Sequence, residues 1–205
     1  MKIKQTLLTA AALSCFASSL SAAVDYSFLS QAATFDGKSS AIVPLTDATS
    51  GFSTNMTVSG SGGNLNSNAT GIGIGDAIID GTNESITFTF STDIDFNFID
   101  LGGVGTEAQA AAEGASLTIG LGSSIILYTD ATSIGGTFDG SSDIYTPTSP
   151  IRLLAGRSIV LTGSSATSNI DLDAINFSVV PEPGTYALLS GICALGFVML
   201  RRRSQ

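Results

Sequence analysis

The chain has 205 residues, with seventeen acidic side chains against eight basic ones, two cysteines, and neither histidine nor tryptophan. Without histidine there is no Ser-His-Asp or Cys-His catalysis, and the common zinc sites lose their main ligands. A net charge of −9 disfavours nucleic acid, whose binding rests on Lys and Arg against phosphate.

Lys2 and Lys4 precede Thr6 to Leu20, a run without charge, and Ser21-Ala22-Ala23 then supplies small residues. That order is the pattern of a secretory signal peptide over residues 1–23, cut by signal peptidase after Ala23. Cys15 follows Ala12-Leu13-Ser14, which sets the leucine one place too late for a lipoprotein signal. The expected mature domain, residues 24–180, is long enough for one hydrophobic core. It holds sixteen acidic residues and three basic ones (Lys38, Arg152 and Arg157), a balance of −13. Such a charge keeps an exported domain soluble and attracts divalent cations diffusely. Neither cysteine falls within it, so no disulfide staples it.

Strand patterns dominate this domain. Phe52 to Val58 and Gly71 to Ile79 read as strands, separated by the Gly/Ser/Asn-rich Ser59 to Asn68, a mobile loop or a linker by composition. Ser85 to Ser91 alternates strictly, with Ile86, Phe88 and Phe90 on one face. Ile94, Phe96 and Phe98 repeat the alternation after a turn at Thr92-Asp93, which predicts an antiparallel neighbour. Gly102 to Gly105 interrupts that strand, and Thr106 to Ala115 is the one stretch that leans towards helix. Leu117, Ile119 and Leu121 alternate next, before the apolar run Ile125 to Tyr128. Ile151 to Leu154 and Ser158 to Thr162 flank a hairpin turn at Ala155-Gly156-Arg157, and Ile175, Phe177 and Val179 form the inward face of a last strand. Many short strands at regular spacing predict an all-β fold, a jelly-roll-like β-sandwich.

The end of the chain has three parts. Pro181-Glu182-Pro183 opens it, Gly184 to Leu200 is free of charge, and Arg201-Arg202-Arg203 follows. Seventeen helical residues reach about 25 Å, at the lower limit for a hydrocarbon core of about 30 Å. Lys and Arg stay on the cytoplasmic side, so a single transmembrane helix over 184–200 would leave the domain outside the cytoplasm. The segment 181–203 closely resembles the PEP-CTERM sorting signal of exported proteins in Gram-negative bacteria that make exopolysaccharide. The resemblance implies recognition of Pro181, Glu182 and Pro183 by a membrane transpeptidase-like exosortase. It also implies export across the inner membrane, at least transient anchoring, and transfer to the cell surface or extracellular matrix. The stretch Ile79 to Phe90 is similar to an early strand of the domains often attached to such tails, and Leu154 to Ile175 is similar to the closing strands of carbohydrate-binding-like jelly rolls.

Chemistry is sparse between the signals. Gly71-Ile72-Gly73-Ile74-Gly75 fails the dinucleotide fingerprint, because Asp76 stands where a further glycine is needed. Sixteen acids could supply a glycosidase pair, yet acids spread over turns are usually solvated, and no tryptophan offers a sugar platform. No cofactor is expected, with calcium as the one exception to weigh. Asp171 and Asp173 fall on the same face as Ile175 by simple alternation, and two adjacent carboxylates repel unless protonated or bridged by a cation. Glu84 or Asp80, ahead of the strongest strand, would join them; the plainer alternative is a strand end emerging into water. A sugar-binding face would need exposed aromatics, for which Tyr145, in a polar stretch near Pro147 and Pro150, is the main candidate. The expected function is a non-enzymatic exported surface or matrix protein associated with exopolysaccharide. The alternatives are a carbohydrate- or calcium-binding module of that matrix and, further off, a secreted hydrolase. Signal peptidase, exosortase and the membrane are the expected partners, without nucleic acid.

Overall fold

A computed structural model of the chain describes residues 23–47, 51–102, 114–123, 125–127, 136–139, 142–180, 191–192, 194–196 and 198–202. Residues 22–180 form one compact unit, and 1–21 with 181–205 form another. In the second unit the described residues are helical, and among them no helix is long and apolar enough to cross a membrane. The expected signal peptide (apart from Ala23), the helix-leaning stretch up to residue 113, and Pro181, Glu182, Pro183 and Arg203 lie outside the described residues.

The first unit is built from two antiparallel sheets. One contains β1 (Ala23–Ser27), β4 (Leu65–Ser67), β5 (Ile72–Ile74), β6 (Ile79–Asp80), β8 (Ile94–Gly102), β11 (Gly136–Asp139), β12 (Ile144–Pro147), β13 (Ile151–Leu153) and β15 (Asn169–Val179). Its main path runs β11-β12-β8-β15-β5-β4, with β1 and β6 on β15 and β13 on β8. The other runs β10-β9-β14-β7-β3-β2 and contains β2 (Ser40–Thr46), β3 (Ser53–Ser61), β7 (Ser85–Phe90), β9 (Ala115–Ile119), β10 (Ile125–Leu127) and β14 (Ser158–Gly163). A single helical turn, α1 (Ala32–Phe35), lies between β1 and β2. The chain crosses between sheets at β1–β2, β3–β4, β6–β7, β7–β8, β8–β9, β10–β11, β13–β14 and β14–β15, so most consecutive strands lie in opposite sheets.

Alternation explains most of the core. On β7, Ile86, Phe88 and Phe90 are buried as the pattern predicts, and Ile159 and Leu161 of β14 lie on the same face. They meet β15 from the opposite sheet, where the rings of Phe90 and Phe177 are 4.7 Å apart. Phe28 packs on Phe88 at 5.7 Å and on Phe35 of α1 at 5.8 Å, which closes one end of the sandwich. The expected loop or linker at Ser59 to Asn68 is instead sheet. β3 extends to Ser61, and Leu65 of β4 is fully buried. Its glycines serve packing, since a Cβ on Gly60 would come within 2.7 Å of the Ile74 Cδ1 methyl.

Simple alternation fails at two bulges between β8 and β15. Asn176 pairs with Phe98 but Phe177 with Phe96, so Asn97 is extra and the face of β8 changes there. Phe98, expected in the core, is therefore turned towards the surface and only partly buried, and Ile99 and Leu101 are buried in its place. On β15, Leu172 pairs with Leu101 and Ala174 with Asp100, leaving Asp173 extra. Ile170 and Leu172 point inward before that bulge, and Ile175, Phe177 and Val179 after it. Leu121 also departs from expectation, because β9 ends at Ile119 and the leucine sits on the following turn, 84% exposed.

Candidate functional site

The bulge at Asp173 decides where the two C-terminal carboxylates go. Asp171 and Asp173 do not share the inward face of Ile175. Leu172 between them is buried, so both aspartates project from the outer face of the larger sheet. Two glycines make room for them. A Cβ on Gly102 of β8 would overlap the Asp171 carboxylate, and one on Gly71 would sit 3.0 Å from Asp173 Oδ1. The result is a pocket of about 440 Å³ whose lining includes Asp171, Asp173, Thr70, Asn169, Ile78 and Leu29.

The electrostatics of this pocket follow from partial burial and crowding. Burial pushes the Asp173 carboxyl up to about 7, and the neighbouring Asp171, Asp100 and Asp143 add to the shift. Asp173 Oδ1 is itself buried and has no hydrogen-bond partner among the described residues. Asp171 is raised by burial too, but hydrogen bonds from the Thr70 side chain and from the Asp171 and Gly102 backbones oppose the rise. Burial, then Asp143 and Asp25, raise Asp100, while burial, then Asp139 and Asp171, raise Asp143. The group shares its negative charge by keeping a proton on Asp173 near neutral pH. Such a site suits a cation or a hydroxyl-rich ligand, because each replaces the missing partner of a buried oxygen.

Glu84 stays apart from this pair. Its carboxylate accepts the Asp80 backbone N–H at 2.8 Å and is not part of the pocket lining. Among the described residues, no three His, Cys, Asp or Glu side chains are grouped closely enough to hold a metal ion. Tyr145 is fully buried in β12, so it cannot stack on a sugar. Asp100, Asp143, Thr70 and Asn169 are participants that periodicity does not reveal. Asp100 reaches the outer face only because of the bulge at Asn97, and Asp143 sits on a left-handed turn at φ 53°.

A second feature begins at the other end of β15. Val179 pairs with Ile94, and the Val180 N–H donates to the Asp93 carbonyl at 3.0 Å. The next residue is Pro181, so the central strand of the larger sheet continues without a linker into the proline-flanked segment. A β-sandwich-like domain whose inner strand runs on into a short polar, apolar and basic tail defines an exported protein that is sorted through that tail. Residues 179–203 match the PEP-CTERM protein-sorting motif, which implies processing by an exosortase. The motif implies a secreted, cell-surface-associated protein of a Gram-negative bacterium. Among curated proteins, no sequence matches the chain.

Proposed function

We propose that the protein is a non-enzymatic surface or matrix component, exported through the signal peptide 1–23 and held in the inner membrane by residues 184–200 until the exosortase acts. The observation that carries this reading is the sorting motif following directly on β15. Association with exopolysaccharide and a jelly-roll arrangement of the two sheets belong to the same reading, supported by the tail and by the alternation of consecutive strands between sheets. The absence of histidine and tryptophan from the sequence supports a binding or structural role over catalysis. The test is to replace Pro181, Glu182 and Pro183 by alanine in the native host and follow fractionation and both chain ends by mass spectrometry. The native protein is expected in surface fractions with its N-terminus at Val24 and a trimmed C-terminus. The variant is expected to keep its tail in the inner membrane. An untrimmed native protein in the cytosol refutes the proposal.

The pocket favours a second role for the same domain, the binding of calcium or of a hydroxyl-rich matrix ligand at Asp171 and Asp173. The unpartnered Asp173 Oδ1 supports it. A ligand held only by the native state raises its stability. Calcium at millimolar concentration is therefore expected to raise the melting temperature of the wild type and to leave Asp173→Asn unmoved. Equal behaviour of the two proteins removes calcium from the reading.

A further inference from the structure

Both chain ends of the sandwich leave from one place. Ala23, the first residue of β1, pairs with Ser178, two residues before β15 gives way to the sorting segment. Three turns surround this exit. Asp93, in the β7–β8 turn, accepts the Val180 N–H with its carbonyl at 3.0 Å and the Ala155 N–H with its Oδ1 at 2.9 Å. Ala155 belongs to the β13–β14 turn, where the Gly156 N–H donates to the Phe90 carbonyl. The β9–β10 turn joins them through the Gly120 N–H, bonded to the Ser158 carbonyl at 2.8 Å.

The side chains at this end differ from the rest of the domain. Arg152 and Arg157 are the domain's two arginines, and both are here. Arg152 pairs with Asp93 and Asp95, whereas Arg157 is exposed and makes no ion pair among the described residues. Two leucines stand out beside them, Leu121 at 84% and Leu154 at 56% exposure. Along β15, Asp171 is eight residues from Val179, which places the acidic pocket about 26 Å away at about 3.3 Å per residue. The sandwich is thus polarised: two of its three basic side chains and two of the four exposed large apolar ones among the described residues of the domain stand at the chain exit, and the carboxylate cluster lies far from it.

We infer that the exit end is a membrane-contacting foot, on which Leu121 and Leu154 enter the headgroup layer and Arg157 meets lipid phosphates. The inference rests on the anchor reading above, and three observations select a lipid surface as its occupant. Four residues from Val180 to Gly184 span at most about 14 Å, so an embedded span keeps this end near the bilayer. A domain with a balance of −13 is repelled by an anionic leaflet unless its least negative end faces it. Exposed leucines beside an arginine that makes no ion pair among the described residues match an interface that is apolar below and anionic above. The acidic pocket then points away from the membrane, towards the matrix.

The test uses the chain from Val24 to Gln205 with Cys193 replaced by alanine, reconstituted in vesicles of equal phosphatidylcholine and phosphatidylglycerol. Single cysteines at Leu121, Leu154, Ala166 and Ile192 carry an environment-sensitive fluorophore, and headgroup-labelled nitroxide lipid is the quencher. Ala166 is exposed on the β14–β15 loop at the opposite end. Quenching is expected at Leu121 and Leu154 and not at Ala166. Arg157→Gln is expected to lower it about fivefold, the factor that one basic residue supplies at an anionic surface. If Ile192 is embedded while Leu121 and Leu154 are no more quenched than Ala166, the foot is refuted and the anchor stands. If Ile192 remains in water, the anchor reading fails and the foot fails with it.

Discussion

Replacing Asp173 by asparagine should stabilise this protein at alkaline pH and leave it nearly unchanged in acid. The Asp173 carboxyl is pushed from 3.8 to about 7, first by burial and then by Asp171, Asp100 and Asp143. Between those values the folded chain binds a proton that the unfolded chain has released, so stability falls as pH rises through the window. Below about pH 4 both states are protonated and the burial of Asp173 is tolerated. Above about pH 7 the folded state carries the full penalty of a crowded anion. A shift of about three units corresponds to about 4 kcal/mol as a ceiling. The side chain is only half-buried, so solvent screening reduces the expected effect to about 1–2 kcal/mol. Asparagine keeps the shape of the protonated carboxyl and cannot ionise. For a domain of this size the gain at pH 8 is about 3–6 °C in melting temperature. Circular dichroism melts of wild type and Asp173→Asn from pH 4 to pH 8 measure it. The informative quantity is the difference between the two proteins, since Asp171, Asp100 and Asp143 are raised as well and steepen the wild-type curve in the same direction. A difference that stays constant across the range would refute the reasoning.

Three other substitutions probe the scaffold. Phe88→Ala empties a fully buried site against Phe28 and should cost about 3–5 kcal/mol, seen as a lower urea midpoint with an unchanged slope. Gly102→Ala drives a methyl group into the Asp171 carboxylate and should cost about 1–3 kcal/mol. Adding Asp171→Ala should restore most of that loss, and no restoration would mean that the clash lies elsewhere. Pro44 sits on the edge strand β2, in register with Asn55 of β3. The Gly60 N–H donates to the Ser39 carbonyl and the Asp47 N–H to the Phe52 carbonyl, so by alternation the Pro44 nitrogen faces away from β3. Proline there denies a donor to any added strand. Pro44→Val, beside the exposed Ile42, should promote self-association detectable by sedimentation velocity, and a strictly monomeric variant would count against this role.

The sequence made legible those strands in which one period of two runs unbroken. β7 and the C-terminal half of β15 are of this kind, because small, hydroxyl or polar residues alternate with large apolar ones, and β14 shows as an apolar run flanked by Ser158 and Thr162. The sorting motif was equally plain, since its three parts lie adjacent in the chain and need no tertiary context. Register shifts defeated the rest. A bulge adds one residue to one strand and so exchanges its two faces, which is why Phe98 left the core and Asp171 and Asp173 emerged on the outside. No composition signal marks Asn97 or Asp173 as the extra residue. Tyr145 misled for a related reason. Its polar neighbours in sequence are not its neighbours in space, and the ring fills the core beneath Ile99, its partner on β8. The crowding of Asp100 and Asp143 near Asp171 arises between strands 28 or more residues apart in sequence and is visible only after pairing.

The direct passage of β15 into the sorting segment has a mechanical consequence. A tug on the C-terminal end is delivered along the axis of a strand that is hydrogen-bonded to β8 on one side and to β1 on the other. Those bonds lie across the pull and resist it in parallel, as a shear clamp does, whereas a tether attached to a terminal hairpin would peel open one bond at a time. Any load on the C-terminal end thus reaches the domain through a strand clamped on both sides.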